Sequence, residues 1–330
     1  MMDLAMGQIH RFGQDPKRDA ETLTYIKQLG INNAITHTPE LPGDGYWELD
    51  GLLWLKQQVE RFDLKLAAIE CMPNHFYDKI KRGLPGRDEQ IENVQKTIRN
   101  MGEAGIDKLV YVWNVLQIAF RTGHLPVGRG GANVTVYHHA DMAPAPVTEI
   151  GEYTDEFLWD TLTYFLKAVL PVAEEAGVML ALHPDDPPMP KIAGVARIIR
   201  SVDAYKRVLE IYPSPSNGFE FCQGCIAEMC DDVEDVYDAI RFFAERKSIA
   251  YVHFRNVIGT VPDFAESFID DGKVDMLRAM RTYKEAGYDG LFMLDHTPHL
   301  VNDTPWAHRG RAYAVGYIRG LLHCVYSDIC

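Results

Sequence analysis

The chain has 330 residues, of which 47% are apolar and 24% charged, with 33 Lys+Arg against 47 Asp+Glu and a formal net charge of −14. That composition is globular and excludes disordered, collagen-like and coiled-coil chains. The acidic balance lacks the basic footprint of a nucleic-acid binder and opposes docking on anionic membranes.

Short apolar runs that read as strands alternate with longer segments of helical period. Leu4–Ile9 comes first, followed by a helix over Ala20–Leu29 that stops at Gly30. Asn33–Thr36 is the second run, and Asp50–Phe62 places Leu52, Leu53, Leu55 and Val59 on one helical face. Leu64–Ile69 precedes a helix over Asp88–Ala104, and Lys108–Trp113 precedes one over Asp155–Ala176, each stopped by a glycine. The last four runs are Val178–Leu182, Gly218–Phe221, Ala250–Phe254 and Leu291–Leu294. Helices over Val202–Ile211, Asp232–Arg246, Val274–Ala286 and Arg309–Tyr326 follow them in turn.

Strands that alternate with helices need parallel crossovers, and a parallel sheet must be covered on both faces. Eight such units predict a single α/β domain over 1–330, a (β/α)8 TIM barrel. An open doubly wound sheet is the alternative. MGQIHRFGQ after the first strand is not the G-x-G-x-x-G fingerprint that such a sheet would carry. Residues 114–152 form a 39-residue connection without clear period, expected to be a lid or insertion loop over the mouth after the fourth strand.

No stretch reaches the ~18 apolar residues of a membrane span. The N-terminus MMDLAMGQIHRFGQDPKRD has no basic-then-apolar signal pattern, so the expected location is cytoplasmic. Cysteines 71, 222, 225, 230, 324 and 330 are too sparse for a disulfide framework and read as thiols or metal ligands.

The chemistry gathers after the last four strands. His183 follows VMLAL, Cys222 follows GFEF, His253 follows IAYV and Asp295 follows LFML. Their separations are 39, 31 and 42 residues, roughly one βα unit each. In a barrel they would stand side by side at the C-terminal mouth, where barrel active sites sit. One histidine after a strand is ordinarily a hydrogen-bonded structural residue, and one buried cysteine a small hydrophobe. Four ligand-type residues at four equivalent positions point to a divalent metal.

Cys222 and Cys225 could form a redox pair, but no thioredoxin-like pattern surrounds them, and Cys225 is expected to pack at the start of the next helix. Asp185 and Asp186 could orient ligands or carry protons, or simply cap a turn. Arg255 offers a planar fork for a carboxylate, with Asn256 beside it. Glu70 and His75 flank the end of the third strand, and Arg121 opens the long loop. His296, next to Asp295, suits acid–base work.

LALHPDDPP, NGFEFCQG, VHFRNV and LDH, in that order, resemble the signatures of mannonate dehydratases. IECMPNHFYDKIKRGLPGRDEQIENVQKTIRNMGEAGI and the RTG of Arg121 extend the resemblance from about Asn32 to YIRGLL. It implies a xylose-isomerase-like barrel that binds Mn2+ or Fe2+ through His183, Cys222, His253 and Asp295, with His296 catalytic. The implied reaction is loss of water from D-mannonate to give 2-keto-3-deoxy-D-gluconate, a step of hexuronate catabolism. The implied partner is a small sugar acid, and a homo-oligomer is the expected assembly.

Two departures stand out. Asp295-His296 is followed by Thr297, Pro298 and His299 rather than a glycine-containing segment, and the family's catalytic tyrosine would fall near Arg309. Either Tyr313 or His308 substitutes for it, or the proton-transfer machinery has changed. A metal-dependent isomerase, epimerase or lyase on the same platform is the alternative activity, and a non-catalytic barrel the remaining one.

Overall fold

The computed structural model describes residues 1–116, 119–142 and 150–327. Eight strands form the barrel: β1 Asp3–His10, β2 Asn33–His37, β3 Lys65–Glu70, β4 Lys108–Val112, β5 Met179–His183, β6 Asn217–Cys222, β7 Ile249–His253 and β8 Leu291–Leu294. All neighbours are parallel, and the sheet closes where β1 pairs with β8 in the register Met6↔Leu294. The predicted barrel is therefore the observed one, with each expected strand in place.

Burial on both faces makes these strands read as unbroken apolar runs: β6 and β7 are buried at every position. One apolar cluster joins strand residues such as Leu66, Leu180 and Phe219 to helix residues such as Leu55, Leu162 and Phe243. A second, made largely of small strand residues (Ala5, Ala68, Ala181, Ala250) with Tyr251 and Met293, fills the barrel axis. Gly7 is needed there, because a Cβ would lie 2.1 Å from Met293 Sδ.

The helices are α1 Pro16–Gln28, α2 Leu49–Glu60, α3 Asp78–Arg82, α4 Arg87–Ala104, α5 Asp155–Ala176, α6 Val202–Ile211, α7 Gln223–Met229, α8 Val233–Glu245, α9 Met276–Glu285 and α10 His308–Ser327. Helix α1 starts four residues before the expected Ala20, because Asp15 caps it by accepting from Arg18 N and Pro16 fits its first turn. The short α3 and α7 were not expected; five and seven residues carry too little period to read.

The connection after β4 is more ordered than its sequence suggested. Gly123–Leu125 and Val134–His138 are strands that join the hairpin Val257–Thr260/Asp263–Glu266 in a four-stranded antiparallel sheet. A bridge between Asn133 and His299 ties this sheet to the segment after β8. Parts of the expected loop, residues 117–118 and 143–149, lie outside the described residues. No described helix is long and apolar enough to cross a membrane.

Candidate active site

Because all eight strands run the same way, their last residues meet at one mouth. His183, Cys222 and His253 end β5, β6 and β7, and Asp295 follows β8. The ligand atoms of His183, Cys222 and His253 lie within 4.8 Å of one another. Asp295 Oδ2 lies 3.5 Å from His253 Nδ1 and 4.0 Å from Cys222 Sγ. His183 Nδ1 faces the Pro184 carbonyl at 2.8 Å, which leaves Nε2 for a ligand. His253 is 1% exposed, yet neither ring nitrogen makes a hydrogen bond. Its Nε2 is 2.7 Å from Glu220 Oε1 but out of line for one. A buried imidazole without hydrogen bonds beside a thiol and a carboxylate is the donor chemistry a borderline divalent ion requires.

Electrostatics prepares the same groups. Burial opposes the Cys222 thiolate, but Cys225, Arg255 and His183 outweigh it and hold the thiol well below its usual range. Burial likewise opposes the Asp295 carboxylate, and His296, His253 and Arg255 hold it well below its usual range.

Arg255 lies beneath this cluster, 3% exposed. Its Nε donates to Asp295 Oδ2 at 2.9 Å, Nη1 to Glu228 Oε1 at 2.7 Å, and Nη2 to Asp186 Oδ2 and Cys225 Sγ at 3.2 Å each. Gly224 lets it pass: a Cβ there would lie 2.4 Å from Arg255 Nη1. Arg121 is also committed, bidentate on Asp186 at 2.5 and 2.7 Å and 2.6 Å from Glu266 Oε1.

His296 contacts the cluster directly, with Nε2 3.5 Å from Asp295 Oδ1 and Nδ1 2.6 Å from Glu266 Oε1. Burial works against its charge, but Asp295 and Glu266 raise the imidazole to about 9.

An inner chamber of about 270 Å³ is bordered by Glu70, His183, His253 and Asp295. An outer chamber of about 290 Å³ is bordered by Glu266, Trp306 and Arg311. Gln8, His10 and His296 border both.

Several expected site residues stand elsewhere. Asp185 accepts from Asn114 Nδ2 and Ile199 N, and Asp186 rather than Asp185 borders the inner chamber. The Asn256 amide is spent on the Ile269 and Val274 carbonyls, holding the loop after the hairpin. His75 is exposed, packed on Phe76 and borders neither chamber. Tyr313 borders neither chamber; its hydroxyl donates to Asp270 at 2.7 Å and accepts from Arg129 at 3.2 Å. The His308 ring pairs with Thr304 and packs on Tyr25 and Trp306.

The sequence reading missed Gln8, His10, His37, Glu220, Glu266 and Arg311. His10 and His37 end β1 and β2, so the strand-end rule that found the quartet would have found them too. Arg311 is 4% exposed; its Nε donates to the Trp306 carbonyl and its Nη2 to Gln8, while Nη1 has no partner.

The profile of the D-mannonate dehydratase (UxuA) family matches residues 6–154 and 147–328. A mannonate dehydratase of Streptococcus pneumoniae (strain 70585) is 33% identical over 337 residues, spanning 92% of this chain and 90% of the relative. The crystal structure of mannonate dehydratase from Streptococcus suis serotype 2 superposes with a TM-score of 0.88 at 30% identity, covering 99% of this chain and 96% of that one. A xylose isomerase domain protein from Alicyclobacillus acidocaldarius has a TM-score of 0.65 at 13% identity, covering 99% and 100% of the two chains, a likeness of fold alone.

Proposed function

This chain belongs to the D-mannonate dehydratase family of hydro-lyases, and on that premise we propose that it converts D-mannonate to 2-keto-3-deoxy-D-gluconate and water. His183, Cys222, His253 and Asp295 would hold the divalent ion, Mn2+ or Fe2+. The observation that carries this reading is the buried His253, whose two nitrogens make no hydrogen bond although His183, Cys222 and Asp295 stand beside them. The ion supplies Lewis-acid stabilisation of the negative charge that develops when a proton leaves the carbon next to the carboxylate.

The protein's own groups do the rest. His296, steadied by Glu266, gives a proton to the departing C3 hydroxyl. Arg311 suits the substrate carboxylate, since its Nη1 has no partner, whereas Arg255 is neutralised by Asp295 and Asp186, and Arg121 by Asp186 and Glu266. The sheet built from the connection after β4 and the hairpin after β7 serves as the lid that keeps water from the outer chamber. Once water has left, the enol tautomerises to the 2-keto acid.

One observation favours a second reading. Tyr313 borders neither chamber, so an isomerase or epimerase reaction on a related sugar acid would need only the groups present. The product separates the two, because dehydration loses water and isomerisation conserves mass. Protein purified without chelator and given Mn2+ anaerobically should form a 2-keto-3-deoxy acid from D-mannonate. Chelator should abolish that turnover and fresh metal restore it. A mass-conserving product would establish the second reading instead.

A further inference from the structure

Dehydration moves two protons at different carbons, and His296 accounts for one of them. We propose that His10 is the catalytic base that takes the C2 proton; the proposal rests on the dehydratase reading.

Position singles it out. Gln8, His10 and His296 are the described side chains that border both chambers, and of these only the two imidazoles transfer protons readily. His10 ends β1 and His296 follows β8, the two strands that close the barrel, so the rings come from adjoining strands. The pairing of β1 with β2 shifts register between Met6 and Ile9, and Gln8 within the shift has φ +58°. Such bulges re-aim side chains beside active sites.

The ring is also free to act. It is exposed and makes no hydrogen bond with any described residue, although its own carbonyl is held by Arg18 at 2.9 Å. Its contact is with the His37 ring, at a centroid distance of 4.3 Å. Partial burial, with Arg311 and Arg18 nearby, lowers the His10 imidazole, which favours the neutral form that can accept a proton.

The other candidates are placed differently. His37 is bonded to Thr38 Oγ1 and borders only the inner chamber. Glu70 also borders only the inner chamber, where it faces His37 and His253. His124 and His299 border only the outer one. Tyr313 and His308 are turned to Asp270 and Thr304.

The step balances. His10 takes the C2 proton, and the electron pair of that C–H bond becomes the C2=C3 bond of the enol. The C3–O bond breaks, and its oxygen leaves as water with the proton from His296. The enzyme ends with His10 protonated and His296 neutral, and a net proton shift between them resets it.

The test uses His10→Ala and His10→Gln in the metal-loaded protein, with melting temperatures to confirm folding. Both should lose about 10²- to 10⁴-fold in kcat with KM little changed. Added imidazole should restore the alanine variant in a saturable manner, which a structural role would not allow. In the parent, diethyl pyrocarbonate should modify His10, and D-mannonate should slow that reaction while leaving His323, exposed on α10, unprotected. Turnover of His10→Ala within a few fold of the parent would overturn the proposal. So would a loss that imidazole does not relieve, in a parent whose His10 D-mannonate does not protect. A parent that makes no keto-deoxy acid from any hexonate refutes the dehydratase reading itself, and the proposal falls with it.

Discussion

Arg255→Met separates a buried electrostatic hub from a substrate-binding arm. In the protein Arg255 is 3% exposed and donates to Asp295, Glu228, Asp186 and Cys225 at once. Methionine keeps most of the volume but removes the cation. Breaking a buried ion pair from one side costs about 3–5 kcal/mol, since the partner charges stay buried. Two features place the loss at the low end. Burial, with Asp186 close by, already raises Glu228 to about 8 despite Arg255, so Glu228 is protonated in the variant at neutral pH. Asp186 keeps both contacts from Arg121. The uncompensated charge is then mainly that of Asp295. For 330 residues the unfolding entropy near the midpoint is about 0.7 kcal/mol per degree, so 3 kcal/mol lowers the melting temperature by roughly 4 °C. Differential scanning calorimetry of metal-free parent and variant reads this directly. An unchanged melting temperature with a raised KM would mean that the guanidinium reaches substrate, and would refute the assignment of Arg255 to the foundation of the site.

Further outcomes follow from the same geometry. Cys222→Ala should strip metal and Cys225→Ala should retain it by elemental analysis, because only Cys222 lies in the group with His183 and His253; equal retention would remove Cys222 from the ligand set. His296→Asn should keep the metal and abolish turnover, and near-normal turnover would end its acid role. Arg311→Met should raise KM for the hexonate about 10- to 100-fold, the value of one charge-assisted hydrogen bond, in steady-state assays; an unchanged KM would move the carboxylate elsewhere. Lys81 is buried against Asn74 Oδ1 at 2.5 Å and the Asn114 carbonyl at 2.8 Å, and burial lowers its ammonium to about 7. The unfolded chain therefore binds the extra proton between about pH 7 and 10.5, so this group makes stability rise with pH across that window, by at most roughly 1.4 kcal/mol per pH unit. Urea titrations at pH 7 and pH 9.5 should show the parent gaining on Lys81→Met, and a constant difference would refute the shift.

What could be read from the sequence was local. Strands buried on both faces leave continuous apolar runs, and glycines such as Gly105 and Gly177 mark helix ends in the left-handed region, at φ +69° and +66°. The quartet of ligand-type residues was legible because its members share one position in successive βα units, a regularity of spacing alone. Long-range ties left no comparable trace. Glu266 reaches His296 and Arg121 only because the hairpin after β7 pairs with Val134–His138, more than a hundred residues earlier in the chain. Val134–His138 was read as part of an aperiodic connection, and so short a run carried no sign of its partner. Arg255 and Asn256 look alike in sequence, two polar residues just past a strand. Whether such a side chain turns to a chamber or to buried carboxylates depends on Asp186 and Glu228, which come from other parts of the ring.

The barrel seam explains the remaining gap. A search for ligand residues one βα unit apart follows the chain from strand to strand and stops at β8, the last strand among the described residues. In space β8 has a second neighbour, β1, in the register Met6↔Leu294. His10 and His296 are 286 residues apart in sequence but come from adjoining strands. Gln8 spans the same seam, donating to Asp295 Oδ1 at 2.6 Å and accepting from Arg311. One amide thus links Asp295, a proposed metal ligand, to the guanidinium suited to a carboxylate. A substitution at Gln8 should therefore disturb both ends together. Gln8→Leu should raise KM and weaken metal retention in one variant, whereas Arg311→Met should raise KM alone. If Gln8→Leu changed neither, the two ends would be independent and the seam would only close the barrel.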